Sequence, residues 1–172
     1  MKTIELLRHA KSSWRDPNLK DHQRPLKRRG LRDCARIGEA LSPRLRELSR
    51  CYCSSATRAR QTLDAVLSHA HHQVGCEILS DDALYTFDPH RLLAWLHQRD
   101  REERQLMLVG HNPALTQLSQ WLCDEVTAVL SHVPTCGYLR LECAIEDWSE
   151  LDLGSASLVQ HVYPRDLRTD RL

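Results

Sequence analysis

Short apolar runs alternate along this chain with longer segments whose apolar residues recur at helical spacing. This alternation constrains the fold more than any other feature, because strands separated by helices form the parallel sheet of an α/β domain. The last two runs are joined by a short connection, which predicts one reversed strand in a mostly parallel, mixed sheet. The strand candidates are residues 3–7, 50–54, 76–79, 105–110, 137–143 and 157–162.

The segments between these runs carry the helical pattern. Asp88 followed by Pro89 is typical of a helix start, with the aspartate as N-cap and the proline in the first turn. Asn112 and Pro113 repeat this start signal before the next helix. The apolar faces are formed by Leu31, Cys34, Gly38 and Leu41, by Ala59, Leu63, Val66 and Ala70, by Leu92, Leu93 and Leu96, and by Leu115, Leu118 and Leu122.

The length of 172 residues is enough for one compact domain with its own core. Residues 1–164 are predicted to form this domain, and the polar residues 165–172 a flexible C-terminal tail. A formal net charge of +1 gives no overall attraction to nucleic acid or to an anionic membrane. No apolar run is long enough for a signal peptide or a membrane span. We therefore expect a cytoplasmic protein, and nothing in the sequence demands more than a monomer.

The seven cysteines are an odd number and contain no Cys-x-x-Cys pair. Cys51 and Cys53 lie two residues apart and so share one face of a strand. Zinc ligands usually have wider spacing, and an intracellular protein keeps its thiols reduced. We therefore expect the cysteines to act as small apolar residues.

Charged and titratable side chains follow three of the predicted strands. Arg8 and His9 end the first, Arg58 comes shortly after the second, and His111 follows the fourth along the chain. Each of them alone is more typical of a solvated loop or a helix start. If these strands are neighbours, however, their carboxyl ends meet at one sheet edge, where the ligands of open α/β sheets bind.

Arginines beside histidines favour an anion as the ligand. A guanidinium is a fixed charge whose donors match phosphoryl oxygens, and it repels a divalent metal ion when no carboxylate intervenes. No carboxylate stands beside His9 or His111, so the sequence predicts a phosphate site that uses no metal and no cofactor. The histidine-rich tract 69–72 is another candidate metal cluster, but it lacks a cysteine or carboxylate at ligand spacing and is more typical of a helix end.

A neutral imidazole at this sheet edge can act as a nucleophile. His9 would attack phosphorus and form a phosphohistidine, which water would then hydrolyse. Arg8, Arg58 and His111 would hold the equatorial oxygens, where charge accumulates during phosphoryl transfer. Cysteine-based phosphatase chemistry is set aside, because it needs a cysteine and an arginine separated by five residues, whereas Cys53 and Arg58 are separated by four.

The motifs resemble those of a known family. The stretch LLRHAKSSW, followed in order by RPLKRRG, SSATRARQT and VGHNP, resembles the histidine phosphatase superfamily, in its small SixA-like phosphohistidine phosphatase branch. The resemblance implies a three-layer α/β/α sandwich of the phosphoglycerate mutase type without a large lid insertion. It implies that His9 is the nucleophile and that Arg8, Arg58 and His111 form the phosphate pocket. It also matches Ser12 to a small hydroxyl residue that binds substrate in many members.

The chain departs from the family's pattern at the proton donor. Many members carry a glutamate in a region that resembles SDDALYTFD here, where this chain has only aspartates. Asp88 is typical of an N-cap, and Asp81 and Asp82 of a turn. An alkoxide leaving group needs a positioned acid, whereas the nitrogen of a phosphoramidate is protonated more readily. The missing glutamate and the short segment before Asp88 therefore favour a phosphohistidine-bearing protein as substrate.

Other functions stay open from the sequence alone. A small-molecule phosphomonoesterase of the same fold would use Asp81 or Asp82 as its acid, and a binding module would hold phosphate or phosphohistidine without turnover. The basic run from Lys27 to Arg32 is typical of a solvated helix start; a weaker hypothesis is that it docks an acidic partner, which would make activity salt-sensitive. Trp14 lies close to the predicted pocket in the sequence and could form its rim, but a structural role is the favoured interpretation.

Overall fold

The computed structural model describes residues 1–70 and 75–168, and every element named below lies in these ranges. Strands and helices alternate up to the last helix, and two strands close the chain. The strands are β1 (Lys2–Arg8), β2 (Arg50–Ser54), β3 (Glu77–Asp81), β4 (Gln105–Gly110), β5 (Tyr138–Cys143) and β6 (Ala156–Val162), and the helices are α1 (Arg28–Leu45), α2 (Thr57–Ser68), α3 (Pro89–His97) and α4 (Ala114–Cys123). All the strands and helices predicted from the sequence are therefore present.

The strands form one sheet in the order β3-β2-β4-β1-β5-β6. Strand β1 pairs in parallel with β4, and β2 pairs in parallel with both β4 and β3. Strand β5 runs antiparallel to its neighbours β1 and β6. The predicted mostly parallel sheet with one reversed strand is confirmed. Because β1, β4 and β2 are adjacent, the three strand ends that carry polar residues lie side by side.

The sheet separates two apolar layers. Neighbouring residues of a strand point to opposite faces, so Leu6 and Leu7 of β1 enter different clusters. Apolar residues of α3 and α4 cover the Leu6 face, and those of α1 and α2 cover the Leu7 face. The predicted α/β/α sandwich is thereby confirmed. No helix in the described ranges is long and apolar enough to cross a membrane.

Two helices begin near the residues that the sequence signals indicated. Asp88 Oδ1 accepts a hydrogen bond from the backbone N–H of His90 at 2.8 Å, as expected for an N-cap. Asn112 precedes α4, and its Oδ1 accepts from the backbone N–H of Thr116 at 3.1 Å. Between β3 and α3 the chain forms only the 3₁₀ turn Asp82–Leu84, so residues 82–88 hold no lid insertion.

The seven cysteines are free thiols, as expected. Cys51 and Cys53 both lie in the apolar cluster on the Leu7 face of the sheet. Burial raises the pKa of Cys53 to about 12, so its thiol stays protonated and behaves as a small apolar group.

The C-terminal segment is described as far as residue 168. Pro164–Leu167 forms a 3₁₀ turn, and Leu167 packs against the cluster on the Leu7 face. The end of the predicted tail, 169–172, lies outside the described residues, as do the last two histidines of the tract at 69–72.

Candidate active site

His9 follows β1 directly, and its backbone N–H donates to the carbonyl of Gly110 at the end of β4, at 3.0 Å. Its side chain is buried. Nδ1 lies 2.8 Å from the carbonyl oxygen of Ala10, so Nδ1 carries the proton that this hydrogen bond requires. The other ring nitrogen, Nε2, is therefore unprotonated when the ring is neutral and carries the lone pair of the imidazole.

The environment of His9 favours this neutral form. Its pKa is lowered to about 4, mainly by burial, and the positive charges of Arg58, Arg8 and Arg24 act in the same direction against the hydrogen bond to Ala10. The ring is therefore neutral near pH 7, and a neutral imidazole is the nucleophilic form.

Arg58 lies in the first turn of α2 and is almost fully buried. Its Nε–H donates to Nε2 of His9 at 3.3 Å. Its terminal nitrogens donate to Asp21, one to the backbone carbonyl at 2.7 Å and the other to Oδ2 at 3.0 Å. The guanidinium is thus held in one orientation beside the unprotonated ring nitrogen of His9.

His111 follows β4 and faces His9, with 5.1 Å between the ring centroids. Its Nε2 lies 2.7 Å from Oγ of Ser54, and this oxygen also accepts the backbone N–H of Ala56 at 3.3 Å. The Ser54 hydroxyl can therefore direct its own hydrogen to Nε2, which leaves the ring proton of His111 on Nδ1. Within the described residues this buried Nδ1 has no hydrogen-bond partner, so it is free to donate to a ligand oxygen.

The neutral state of His111 also follows from its surroundings. Burial is the largest cause that lowers its pKa, to about 2, followed by repulsion from His9 and Arg58. A neutral ring with its proton on Nδ1 is a hydrogen-bond donor rather than a second nucleophile.

Arg8 closes the pocket on the side of β1. One terminal nitrogen donates to the carbonyl of Val133 at 2.9 Å and lies 3.3 Å from Nε2 of His132. Its Nε is buried and has no partner in the part of the chain that the structure describes. Asn112, the residue after His111, donates through Nδ2 to the same Val133 carbonyl at 2.9 Å, which places the Arg8 side chain at the same sheet edge as His111. The structure therefore brings together all four residues that the sequence predicted for catalysis.

Asp21, Arg24 and Tyr85 also build this pocket, and sequence reasoning assigned none of them a role. Asp21 Oδ1 accepts from Nε of Arg24 at 3.0 Å, and Oδ2 accepts from the Tyr85 hydroxyl as well as from Arg58. The Tyr85 ring also packs edge-on against His111, with 5.4 Å between centroids. Arg24 opens the motif RPLKRRG, which was a signal that could have found it. Asp21 stands in no recognised motif.

The carboxylate of Asp21 is unsuited to act as a proton donor. Partial burial by itself would raise its pKa, but the hydrogen bonds from Tyr85 and Arg24 and the charge of Arg58 outweigh this effect and lower the pKa to about 2. Asp21 is therefore ionised near pH 7 and acts as a fixed counter-charge for the two arginines.

The other candidate acids serve the fold. Asp81 accepts from the backbone N–H of Ala83 with one oxygen and from Nε1 of Trp95 with the other, both at 2.8 Å. Asp88 is the N-cap of α3.

Ser12 lies in the wall of the pocket rather than free within it. Its side chain is buried, and its Oγ accepts from a terminal nitrogen of Arg24 at 2.9 Å. This contact holds Arg24 in place, and direct contact of Ser12 with substrate stays a prediction.

Potential metal ligands are dispersed. Among residues 1–70 and 75–168, no three His, Cys, Asp or Glu side chains are grouped as a metal site. His69 is the described histidine of the tract at 69–72 and is the C-cap of α2. Its Nδ1 lies 2.8 Å from the carbonyl oxygen of Ala65, as expected for a helix terminus.

The family assignment comes from comparison with known proteins. Residues 4–86, which contain Arg8, His9 and Arg58, match the model of the histidine phosphatase superfamily, branch 1. The fold matches a structure from Agrobacterium tumefaciens provisionally assigned as the phosphohistidine phosphatase SixA, with a TM-score of 0.79 and 26% identity over 95% of this chain and 98% of that one. The chain belongs to the histidine phosphatase superfamily. The predicted enzyme class, a phosphatase, is thereby confirmed.

Two further similarities extend over nearly the whole chain. An uncharacterized protein of Mycobacterium tuberculosis strain H37Rv is 32% identical over 166 residues, which are 92% of this chain and 100% of that protein. The protein histidine phosphatase SixA in complex with tungstate shares the fold, with a TM-score of 0.77 and 20% identity over 96% of this chain and 99% of the other.

Proposed function

We propose that this protein is a phosphohistidine phosphatase that removes the phosphoryl group from a histidine of a protein substrate. The observation that carries the proposal is Nε2 of His9, an unprotonated ring nitrogen that accepts only the 3.3 Å hydrogen bond from Arg58 among the described residues and faces His111 in a pocket whose carboxylate stays ionised. This arrangement supplies a nucleophile and donors for the phosphoryl oxygens but no carboxylic acid for an alkoxide leaving group.

The reaction takes place in two displacements. Nε2 of His9 forms a bond to phosphorus as the P–N bond of the substrate breaks, and the departing imidazole takes a proton from solvent. Water then attacks the phosphorus of phosphorylated His9, which releases orthophosphate and restores the neutral ring. Arg8, Arg58 and Nδ1–H of His111 stabilise the equatorial oxygens in both steps, where charge accumulates.

Three further observations support a nitrogen leaving group. Asp81 has both oxygens engaged by Ala83 and Trp95, and Asp82 lies in an exposed turn. The protein histidine phosphatase SixA, whose structure was determined with tungstate, shares this fold. The short segment between β3 and α3 also leaves the sheet edge without a lid insertion, so a protein side chain can reach it.

The test compares two classes of substrate. The first substrate is a histidine-containing protein that has been phosphorylated with potassium phosphoramidate, and the second is p-nitrophenyl phosphate. Both are given to the wild-type protein, to His9→Ala and to the matched control His161→Asn, which replaces an exposed histidine on β6. We expect wild type and His161→Asn to dephosphorylate the protein, and His9→Ala to lose at least about 1,000-fold in kcat.

Trapping the intermediate makes the test specific. A brief reaction with labelled phosphohistidine protein should leave acid-labile, alkali-stable label on His9 of the wild-type chain. Full activity of His9→Ala would overturn the proposal. Fast ester hydrolysis that collapses in Asp82→Asn would replace it with a phosphomonoesterase, and tight binding without phosphate release would replace it with a binding module.

A further inference from the structure

A groove lies beside the active site and is separate from the pocket that holds His9. We call it the Trp14 groove; its volume is about 570 Å³, and it is lined by Ser13, Trp14, Arg15, Leu26, Lys27 and Arg28. Its walls are held together by backbone hydrogen bonds, from Ser13 N–H to the Pro25 carbonyl and from Lys27 N–H to the Lys11 carbonyl, each at 2.8 Å. The groove is therefore a built feature of the fold.

The Trp14 groove concentrates positive charge. Arg15, Lys27 and Arg28 are all exposed. Within residues 1–70 and 75–168, the ion pairs in this region engage Arg24, Arg29 and Arg36 and none of these three cations. The carboxylate of the nearby Asp16 accepts a hydrogen bond from the backbone N–H of Asn18. Since the whole chain has a net charge of only +1, this local excess is not the result of a basic composition.

Trp14 gives the groove an aromatic wall. Its side chain is 71% exposed, which is unusual for an indole because burying it would remove a large apolar area from water. The guanidinium carbon of Arg24 lies 3.5 Å from the centroid of the ring and holds it in this position. An exposed, rigid indole among cations is typical of protein interfaces, where Trp and Arg carry much of the binding energy.

Arg24 connects the groove to the active site. One side of its guanidinium stacks on Trp14, while its nitrogens donate to Asp21 and Ser12 in the wall of the pocket. Asp21 also accepts from Arg58, which itself donates to His9, so the groove and the active site are close. A chain whose phosphohistidine enters the pocket can therefore place its flanking residues in the groove.

We infer that the Trp14 groove docks an acidic segment that flanks the phosphohistidine of the protein substrate. This inference rests on the proposed function and adds the chemistry by which the enzyme selects its substrate. Arg15, Lys27 and Arg28 attract the carboxylates and accelerate encounter, and Trp14 packs against the apolar parts of the segment. A free orthophosphate or a small phosphoramidate has no flanking residues and gains nothing from the groove.

The test uses two synthetic phosphohistidine peptides that differ only beside the phosphohistidine. One carries Asp and Glu there, and the other carries Asn and Gln at the same positions. The measured quantity is the ratio of kcat/KM for the acidic peptide to kcat/KM for the neutral peptide. We expect a ratio of about 10 at low ionic strength, which falls towards 1 in 0.5 M salt because exposed charges are screened.

Matched charge reversals locate the preference. In Lys27→Glu/Arg28→Glu the ratio should fall to about 1 or below, because repulsion replaces attraction. The control Arg101→Glu/Arg104→Glu reverses the same number of exposed charges near the amino end of β1, away from the pocket, and should keep the wild-type ratio. Trp14→Ala removes the indole without a change of charge and should lower kcat/KM for both peptides.

The outcomes separate this inference from the proposed function. Hydrolysis of both peptides at the same rate by wild type, or an unchanged ratio in Lys27→Glu/Arg28→Glu, overturns the docking role and leaves the phosphohistidine phosphatase intact. An equal loss of the ratio in Arg101→Glu/Arg104→Glu also overturns it, because the effect would then come from net charge. If wild type hydrolyses neither peptide, both proposals fail together.

Discussion

At the scale of single residues, the state of each catalytic group is set by a neighbour that sequence patterns did not reveal. The Ala10 carbonyl selects the proton position on His9, and the hydroxyl of Ser54 holds Nε2 of His111 so that Nδ1 is the nitrogen left for a ligand. The backbone N–H of Ala10 is itself held by Oγ of Thr62 at 2.9 Å. The nucleophile and its donor are thus two chemically identical rings whose roles differ because their hydrogen-bond partners differ.

Asp21→Asn tests the counter-charge that orients Arg58. The substitution keeps the size of the side chain but removes the charge that pairs with Arg58 and Arg24, so kcat should fall by up to about 100-fold as the guanidinium loses its orientation. The affinity for orthophosphate should change less, because a repulsive charge disappears at the same time. Steady-state kinetics and product inhibition measure the two effects.

Asp16→Asn is the control for this prediction. Asp16 is exposed, and its carboxylate accepts only the local N–H of Asn18 among the hydrogen bonds of the described residues, so kcat should stay unchanged. A parallel loss of kcat in both variants would indicate a general effect of surface charge rather than the orientation of Arg58.

At the scale of elements, β1 is the strand on which the site depends, and a buried charge fixes it to its neighbours. Glu5 is fully buried on the Leu7 face of the sheet. Its carboxylate accepts from Arg44 of α1 at 3.0 Å, from Gln105 of β4 at 2.9 Å and from the Tyr138 hydroxyl of β5 at 2.8 Å. One side chain therefore ties β1 to a helix and to both adjacent strands.

The backbone at the start of α1 packs directly against the loop that follows His9. A Cβ atom on Gly30 would lie 2.5 Å from the carbonyl oxygen of Lys11, closer than atoms can pack. Glycine is needed at this position because the helix backbone contacts the loop directly. The last residue of the motif RPLKRRG thus has a packing role, which supports both the pocket and the Trp14 groove.

Glu5→Ala should destabilise the protein by about 2–4 kcal/mol, because it leaves the buried Tyr138 hydroxyl without its acceptor and removes the buried partner of Arg44. Urea unfolding at neutral pH measures the change in the free energy of unfolding. The control is Glu47→Ala, which removes the exposed second partner of the same Arg44 and should cost less than about 1 kcal/mol. Similar losses in the two variants would contradict the role assigned to Glu5.

At the scale of the whole molecule, the active site makes folding stability depend on pH. The pKa of His9 is about 4 and that of His111 about 2 in the folded protein, both below the usual 6.5 of the side chain. Below pH 6.5 the unfolded chain binds protons at these histidines and the folded protein does not. Stability is therefore full above this pH and falls as the pH decreases towards the folded pKa values.

The free energy of unfolding should consequently decrease between pH 7 and pH 4.5, by about 1.4 kcal/mol per pH unit for each histidine once the unfolded ring is protonated. Urea unfolding at several pH values measures this slope. His9→Gln/His111→Gln should show a shallower slope because neither glutamine titrates, whereas His161→Asn should keep the slope of wild type. An identical slope in all three proteins would disprove the contribution of the buried pair.

The sequence alone determined the class of the fold and the residues at the strand ends. Short apolar runs, helical faces and the short connection between the last two runs are local properties, and so they predicted the strands, the helices and the reversed strand before any contact was known. Arg8, His9, Arg58 and His111 were found because each follows a strand, and parallel neighbouring strands end at the same edge.

Only the tertiary structure decided which state those residues adopt and what surrounds them. Asp21 reaches Arg58 across 37 positions and Tyr85 across 64, and such contacts leave no periodic trace in the sequence. Proton positions on His9 and His111, the depressed pKa values and the exposure of Trp14 likewise depend on burial and on distant partners. These are properties of the folded environment, because desolvation and hydrogen bonding act on a side chain only once its neighbours are in place.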